Sequence, residues 1–467
     1  MKKLISLTAV LALVACTQPQ VLDESNLPDN VMVTGTNPII NNQFTADPTA
    51  RVFNDKLYLF PSHDIPSVVT HYDGSPWFSM ADYHVFSSED LTTWTDHGVI
   101  VTQEDVPWGN PIGYSMWAPC CIEKDGKYYF YFPNASKTGG FTVGVAIADH
   151  PEGPYEVVPE PIKGIGGIDP CVLKASDGNH YIFWGAGRCA KLADNMIELA
   201  EDNPVETVKW GNREMTNIGV SCLSGLPSRQ AEGPFAFERN GYYYLTYPYV
   251  REDTEVLGYA MSKNPMGPYE YKGLIMEEHE NGCWTNHHSI IEFKGQWYLF
   301  YHHNDYSPDF DKNRSMRVDS LFFNEDGTIA LVKPTERGVG ITNSKSEIHI
   351  DRYSELSASG DSIAYLDLGN YFKGWKTVFY EKGAWAQYNT VQFDKAPKSV
   401  KVQIVPPSAG TLEILQDDKV IATVNVPKDR QVITATAKVT GASKGLHHIK
   451  VRMASEGKVQ VDWLTFE

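Results

Sequence analysis

Five positions in this 467-residue chain recur in phase, and most carry residue types from which acid–base chemistry is built. They are Asp47 in Ala-Asp-Pro, Ala118 in Trp-Ala-Pro, Asp169 in Ile-Asp-Pro, Glu232 in Ala-Glu-Gly-Pro and His287 in Asn-His-His-Ser. Three of the five are carboxylic acids. Like charges held close in a partly desolvated cavity repel, and the repulsion raises a pKa. Two carboxyls with opposed pKa values are the minimal equipment for cleaving a glycosidic bond. One stays ionised as base or nucleophile, and the other stays protonated and donates to the leaving oxygen. A third carboxylate nearby can tune and orient the acid. A lone Asp-Pro is an ordinary strand-entry turn, but three acids in phase are not what stability alone selects.

The phase comes from a repeat. Each position lies eight or nine residues ahead of a turn followed by an aromatic-rich strand, starting at Asp55, Gly126, Gly178, Gly241 and Gly295. The starts fall 52 to 71 residues apart, which fits four strands per unit with loops. Between residues 40 and 345 helical periodicity is nearly absent, and period-2 strands bounded by Gly, Asn, Asp and Pro dominate. This predicts a five-bladed β-propeller, in which rotation about one axis relates equivalent positions. Each of the five positions runs into a hydrophobic segment read as an innermost strand. The three acids and His287 would then converge on one mouth of the central channel.

In these contexts the acids resemble those of glycoside hydrolase family 43. Further motifs in that family's order are Phe86-Ser-Ser-Glu-Asp-Leu-Thr-Thr-Trp94, Trp117-Ala-Pro, Pro151-Glu-Gly-Pro-Tyr155, Asn286-His-His-Ser289 and Asn324-Glu-Asp-Gly-Thr-Ile329. The resemblance implies an inverting enzyme, with Asp47 as general base, Glu232 as general acid and Asp169 as the residue that tunes and orients the acid. It places Trp117, His288 and Arg317 at the substrate. It also places His287 in the channel against a structural calcium ion or a water cluster, with the register between His287 and His288 open by one residue. Ser62-His-Asp64 and the loop from Ile65 to Asp82 are expected to shape the sugar pocket. The implied activity is exo-acting: α-L-arabinofuranosidase first, with β-xylosidase or β-galactofuranosidase as alternatives. The partner would be a plant cell-wall polysaccharide or oligosaccharide. A non-catalytic glycan-binding lipoprotein is the competing class, and it would be expected to lack one of the acids.

Beyond about residue 345 aromatic density falls, and short strands alternate with Gly, Lys and Asp turns. This predicts a β-sandwich of jelly-roll type over 346–467, after a propeller over 38–345. Trp385-Ala-Gln-Tyr-Asn-Thr-Val-Gln-Phe393, Gly445-Leu-His-His-Ile and Val461-Asp-Trp463 resemble a family 6 carbohydrate-binding module. Two features depart from that family. Val426 to Val432 holds no tryptophan, and Gln460 stands where asparagine is common, which leaves Trp375 and Tyr371 to supply one ring. Glycan binding and a structural role packed on the propeller both stay open.

Composition bounds the remainder. A hydrophobic share of 42% excludes a disordered chain, and a formal charge of −18 argues against a nucleic-acid partner. Lys2 and Lys3 precede an apolar run from Leu4 to Ala15, too short to span a bilayer and ending in Leu13-Val14-Ala15-Cys16. Residues 1–16 therefore read as a signal peptide; its ending resembles the lipobox of bacterial lipoproteins, which implies Cys16 as the lipidated residue, and 17–37 read as a tether. The expectation is an exported protein held on a bacterial membrane by that anchor alone. Of the six other cysteines none has CxxC spacing, and most read as small buried hydrophobes.

Overall fold

The computed structural model describes residues 27–210, 213–224, 231–279 and 283–467. The residues expected to form a signal peptide, with Cys16, and the first part of the expected tether lie outside the described residues. Within them, regular helix is confined to two short 3-10 turns, and no helix is long and apolar enough to cross a membrane.

Five sheets form the propeller, antiparallel apart from the short parallel pairing of Leu223 and Ser224 with Tyr269 and Glu270. Their innermost strands are Phe44–Phe53, Cys120–Lys124, Cys171–Lys174, Phe235–Arg239 and His288–Phe293. Each is followed at once by an aromatic-rich second strand, longer than the inner one in every blade but the first. The inner strands pack first on second, second on third and so on until the fifth meets the first, which closes the ring. Side chains bond to backbone between blades: Thr49 donates to the Pro119 carbonyl (2.7 Å), and Ser289 Oγ accepts from the Ala50 N–H (2.9 Å). Arg51 donates to the carbonyls of Cys121 (2.7 Å) and Val172 (3.1 Å) and to Cys120 Sγ (3.3 Å), and it lies over the Phe235 ring. One guanidinium thus reaches the inner strands of blades two, three and four. All six described cysteines are unpaired and buried.

The start of the propeller is also its latch. Ile39 N–H donates to the Met316 carbonyl and Thr45 N–H to the Arg314 carbonyl, both at 2.9 Å, tying the entry segment to the last blade. The tether expected over 17–37 is accordingly shorter. Val31–Val33 pairs antiparallel with residues 93–95, and Asn37 is fully buried, bonded to Val318 in both directions. These residues carry alternate burial and backbone partners, which a solvated tether lacks.

The C-terminal module is a ten-stranded sheet curled on itself. The long strand Ser399–Gln416 pairs with Ile433–Lys438 and Lys458–Phe466 along its first half, and with Lys419–Asp429 and Gly445–Met453 along its second. Register shifts at Val405/Ala409 and Ser408/Gly410 mark the bend that lets one strand serve both layers. Between them lies an apolar core including Phe379, Tyr388, Ile404, Leu412, Ile449 and Val461. Thr342–Asn343 already pairs with Val391 and Gln392, so this sheet begins a few residues ahead of 346.

A polar cluster joins the two parts. Arg317 donates to Asp305 and Glu336, Arg352 donates to Glu336 (2.8 Å), and the Arg352 guanidinium lies 3.7 Å from the Trp375 ring centre. Trp375 also packs on Tyr306 at 5.1 Å.

Candidate active site

The mouth of the channel is a pocket of about 620 Å³ lined by Asp47, Asp169, Glu232, His287, Arg314 and the aromatic rings of Trp77, Phe78, Trp117 and Trp284. The repeat positions converge because each lies at the same end of an inner strand. Asp47 and Asp169 both adopt left-handed backbone conformations, with φ of 50° and 59°. That is uncommon for residues other than glycine and clusters at functional sites. At Asp47 the strand pairing skips between Ala46 and Thr49, and the bulge turns the carboxyl toward the axis.

Asp47 is held by several groups at once. Arg314 donates to both oxygens (2.8 and 3.1 Å), and Ser62 Oγ donates to Oδ2 (2.6 Å). Its backbone N–H donates to His302 Nδ1 at 3.2 Å, so that nitrogen carries no proton. Burial pushes the carboxyl up, but Arg314, His287, His302 and the Ser62 hydroxyl together hold it well below the usual carboxylate range. Asp47 is therefore ionised at any working pH. Arg314 is itself fixed by Asp64, which accepts from Nε and Nη2 (both 2.9 Å) and from the Arg314 N–H (2.7 Å). Ser62 and Asp64 alternate along Lys56–Asp64 and point the same way.

Glu232 is the opposite case. Burial and repulsion from Asp47 push its carboxyl up to about 7, with Arg314 pulling weakly the other way. Burial, Glu232 and Asp47 push Asp169 up strongly as well, and its Oδ2 accepts the Gly233 N–H at 3.0 Å. Asp169 is thus fixed to the backbone beside Glu232, and the two titrate as a pair that retains a proton near neutrality. Gly233 has φ 51°, and a side chain there would meet His287 Nδ1 and Pro248 at 3.0 Å, so glycine suits the turn that carries Glu232.

Other expected residues fall on both sides of the pocket wall. Trp117 lines it, its ring 4.7 Å from Phe141 and 6.3 Å from Phe78. His287 lines it too, with Nδ1 3.8 Å from Asp47 Oδ1. His288, expected at the substrate, is buried behind the wall with Nε2 2.5 Å from Thr246 Oγ1. Arg317, also expected there, is corrected to the junction with the C-terminal module. Three residues apart on an extended segment, Arg314 and Arg317 emerge on opposite faces, and Arg314 is the one that reaches the acids. Calcium fits His287 poorly. The ring faces one carboxylate already committed to a guanidinium, and Arg314 adds a permanent positive charge, whereas calcium needs six to eight oxygens.

Some functional residues carried weaker marks in the sequence. Glu255 opens a wholly buried strand, Glu255–Ser262, and accepts the Asn286 N–H at 2.7 Å, fixing the turn that carries His287. Burial and the charge of Glu232 push its carboxyl well up. A glutamate heading a run that is otherwise almost entirely apolar was the available sign. Trp77 and Phe78 come from the 65–82 loop, and Arg314 lies over Phe78 at 4.8 Å.

Comparison with known proteins places this geometry. The profile of glycosyl hydrolases family 43 matches residues 35–329, and that of carbohydrate binding module (family 6) matches residues 357–467. Xylosidase/arabinosidase 43A of Humicola insolens is 37% identical over 340 residues, covering 64% of this chain and 99% of that protein. Arabinoxylan arabinofuranohydrolase of Paenibacillus polymyxa is 26% identical over 501 residues, covering 93% of this chain and 74% of that protein. Among solved structures, a β-xylosidase/α-arabinofuranosidase from a compost microbial metagenome, in a calcium-free form with xylotriose, superposes with a TM-score of 0.56. It is 34% identical and covers 65% of this chain and 98% of that one.

Proposed function

Because the chain belongs to glycosyl hydrolases family 43, we propose that it is an inverting, exo-acting glycosidase that removes α-L-arabinofuranosyl groups from plant polysaccharides or their oligosaccharides. The observation that carries this reading is the split between two carboxyls in one pocket, Asp47 held ionised and Glu232 raised to about 7. Glu232 gives its proton to the glycosidic oxygen as the bond to the anomeric carbon breaks. A water on the opposite face forms the new carbon–oxygen bond and passes a proton to Asp47. One step inverts the centre, and the acids regain their states by exchange with solvent. Arg314 and Ser62 fix the orientation of Asp47 at a cost in basicity. Transfer becomes downhill as positive charge develops on the sugar and acidifies the attacking water. Asp169, anchored on Gly233, keeps the proton on Glu232 and aims it. The four aromatic side chains supply flat apolar faces for the sugar ring. No step is routed through a cation at His287.

Cleavage of β-xylosides is the second reading, favoured by relatives named for both activities. Release of 4-nitrophenol from the α-L-arabinofuranoside and the β-D-xyloside compares the two, and proton NMR of the first product anomer tests inversion. Equal inertness on both glycosides and on arabinoxylan sinks the proposal, and a retained anomer sinks the mechanism. The family 6 match supports polysaccharide as the substrate form. The groups expected to meet a sugar are committed elsewhere, however: Trp375 is buried at the junction, the Tyr371 ring packs on Tyr365 at 4.3 Å, and Gln460 is bonded to Pro407 and Ser408. We therefore read the module as a brace for the propeller, a reading that saturable binding of arabinoxylan by the Glu232→Gln protein outside the pocket would refute. Lipidation at Cys16 remains part of the proposal. Cys16→Ala should release the protein from membranes.

A further inference from the structure

We infer that His63, Asp82 and His84, on the outer side of the first blade, form a binding site for a zinc-type divalent cation. Among the described residues this is the one group of three whose donor atoms all lie within 4.8 Å of one another. Nothing in the acid–base machinery uses it.

The strands dictate the cluster. Asp82 and His84 are alternate residues of Asp82–Ser88 and share a face, while Tyr83 between them is buried and donates to the Trp117 carbonyl at 2.6 Å. The neighbouring strand Lys56–Asp64 pairs with it in the register Leu59 opposite Phe86, and running that register on sets His63 across from Asp82. Ser62 and Asp64, flanking His63, turn inward to Asp47 and Arg314, so His63 must turn outward.

The donor set is specific. Asp82 Oδ1 lies 2.7 Å from His63 Nδ1 and 3.9 Å from His84 Nε2. Donors around a tetrahedral zinc ion sit about 3.3 Å apart, given bonds of about 2.0–2.1 Å, and the two separations bracket that value. The imidazoles meet edge to face at 5.0 Å. His84 is prepared for the role by a carboxylate behind it: Asp96 faces Nδ1 at 3.0 and 3.2 Å and accepts its proton, which leaves the Nε2 lone pair directed at Asp82. Asp96 is in turn held by the Gly98 N–H (2.8 Å) and Gln43 Nε2 (2.9 Å). Two ordinary histidine–aspartate pairs would not need a shared focus, nor a third layer fixing one tautomer. Two nitrogens and one oxygen suit zinc, cobalt or nickel and disfavour calcium or magnesium. The three side chains are 14–20% exposed, so an ion can enter from solvent and keep a water as fourth ligand. Bound there, it would clamp the strand whose other face carries Ser62 and Asp64.

The test uses tag-free, chelator-treated full-length protein titrated with Zn²⁺ by calorimetry and with Co²⁺ by visible absorption. One saturable equivalent with a tetrahedral cobalt spectrum is expected. His84→Ala should abolish it while leaving 4-nitrophenyl glycoside hydrolysis unchanged, and Asp82→Asn should also abolish cation binding. Asp96→Asn keeps every ligand, and its expected loss of affinity, about 10–100-fold, reports the supporting carboxylate rather than the fold. Absence of saturable binding, or binding that survives both His63→Ala and His84→Ala, overturns the inference.

Discussion

Arg314 and Arg317 stand three residues apart, both almost fully buried and both bonded to two carboxylates, yet they serve different regions. Arg314 lies at the channel mouth between Asp47 and Asp64, and Arg317 lies at the junction between Asp305 and Glu336. The ion-pair chemistry is nearly the same, and what differs is the surroundings. At the junction the partners of Arg317 meet a second guanidinium, Arg352, and a tryptophan, so that Asp305, Glu336 and Asp351 each lie against a guanidinium. At the mouth Arg314 pairs with Asp47 and Asp64, while among the described residues Glu232, Asp169 and Glu255 have no guanidinium or ammonium bonded to them. Burial and repulsion must then be relieved by protons. In the proposed mechanism the catalytic acid arises from an excess of buried carboxylates over cations, not from any special residue.

The contrast can be broken in several ways. The largest effect is expected from Glu232→Gln, which should lower kcat on arabinoxylan oligosaccharides by about 10²–10⁴-fold with little change in melting temperature, measured by reducing-sugar release and calorimetry. Arg314→Met should lose about 3–5 kcal/mol of stability in denaturant titrations, because it strands two buried carboxylates. Arg317→Met should lose less, because Glu336 is partly exposed and keeps Arg352. Only Arg314→Met should also shift the acid limb of the pH–rate profile upward, as Asp47 loses the charge that holds it ionised. A matching shift in Arg317→Met would erase the distinction drawn here.

Protons give a subtler test. The raised pKa of Glu232 means that the folded state holds a proton the unfolded chain releases. Its contribution to stability is complete below the unfolded value of about 4.5 and fades as pH rises through about 7. Asp47 has the opposite sign: its contribution is present above the unfolded value and is lost as pH falls toward its depressed folded pKa. Melting temperature followed from pH 4 to 8 should thus fall less steeply at the upper end in Glu232→Gln than in the wild type. The smallest catalytic effect belongs to Trp375→Ala. It should destabilise the protein by about 3–5 kcal/mol while leaving kcat/KM on aryl glycosides within about twofold.

Much of the site was legible because it is periodic. Asp47, Asp169, Glu232 and His287 occupy equivalent strand starts, and repeat phase alone brings them together. Arg314, Asp64 and Glu255 have no counterpart in the other blades, so phase carries no information about them. The misplacement of Arg317 has a simple cause: along an extended strand a shift of three residues changes the face, and a local motif does not record which face is inward. The assignment of His288 failed by one residue for the same reason. The module's fold followed from alternating strands. That Trp375 turns toward the propeller depends on Arg352 and Tyr306, which lie on separate segments of the chain.

The central claim is that Glu232 alone supplies the proton whose loss ends activity above neutrality. The dependence of kcat/KM on pH for the α-L-arabinofuranoside, in wild type and in Glu232→Gln, tests it most directly. The wild type should lose activity above about pH 7 with the slope of a single ionisation. In the variant the residual rate on the nitrophenyl substrate, whose leaving group needs little protonation, should be flat across that range. The same limb near 7 in the variant would contradict the account and move the acid to another residue.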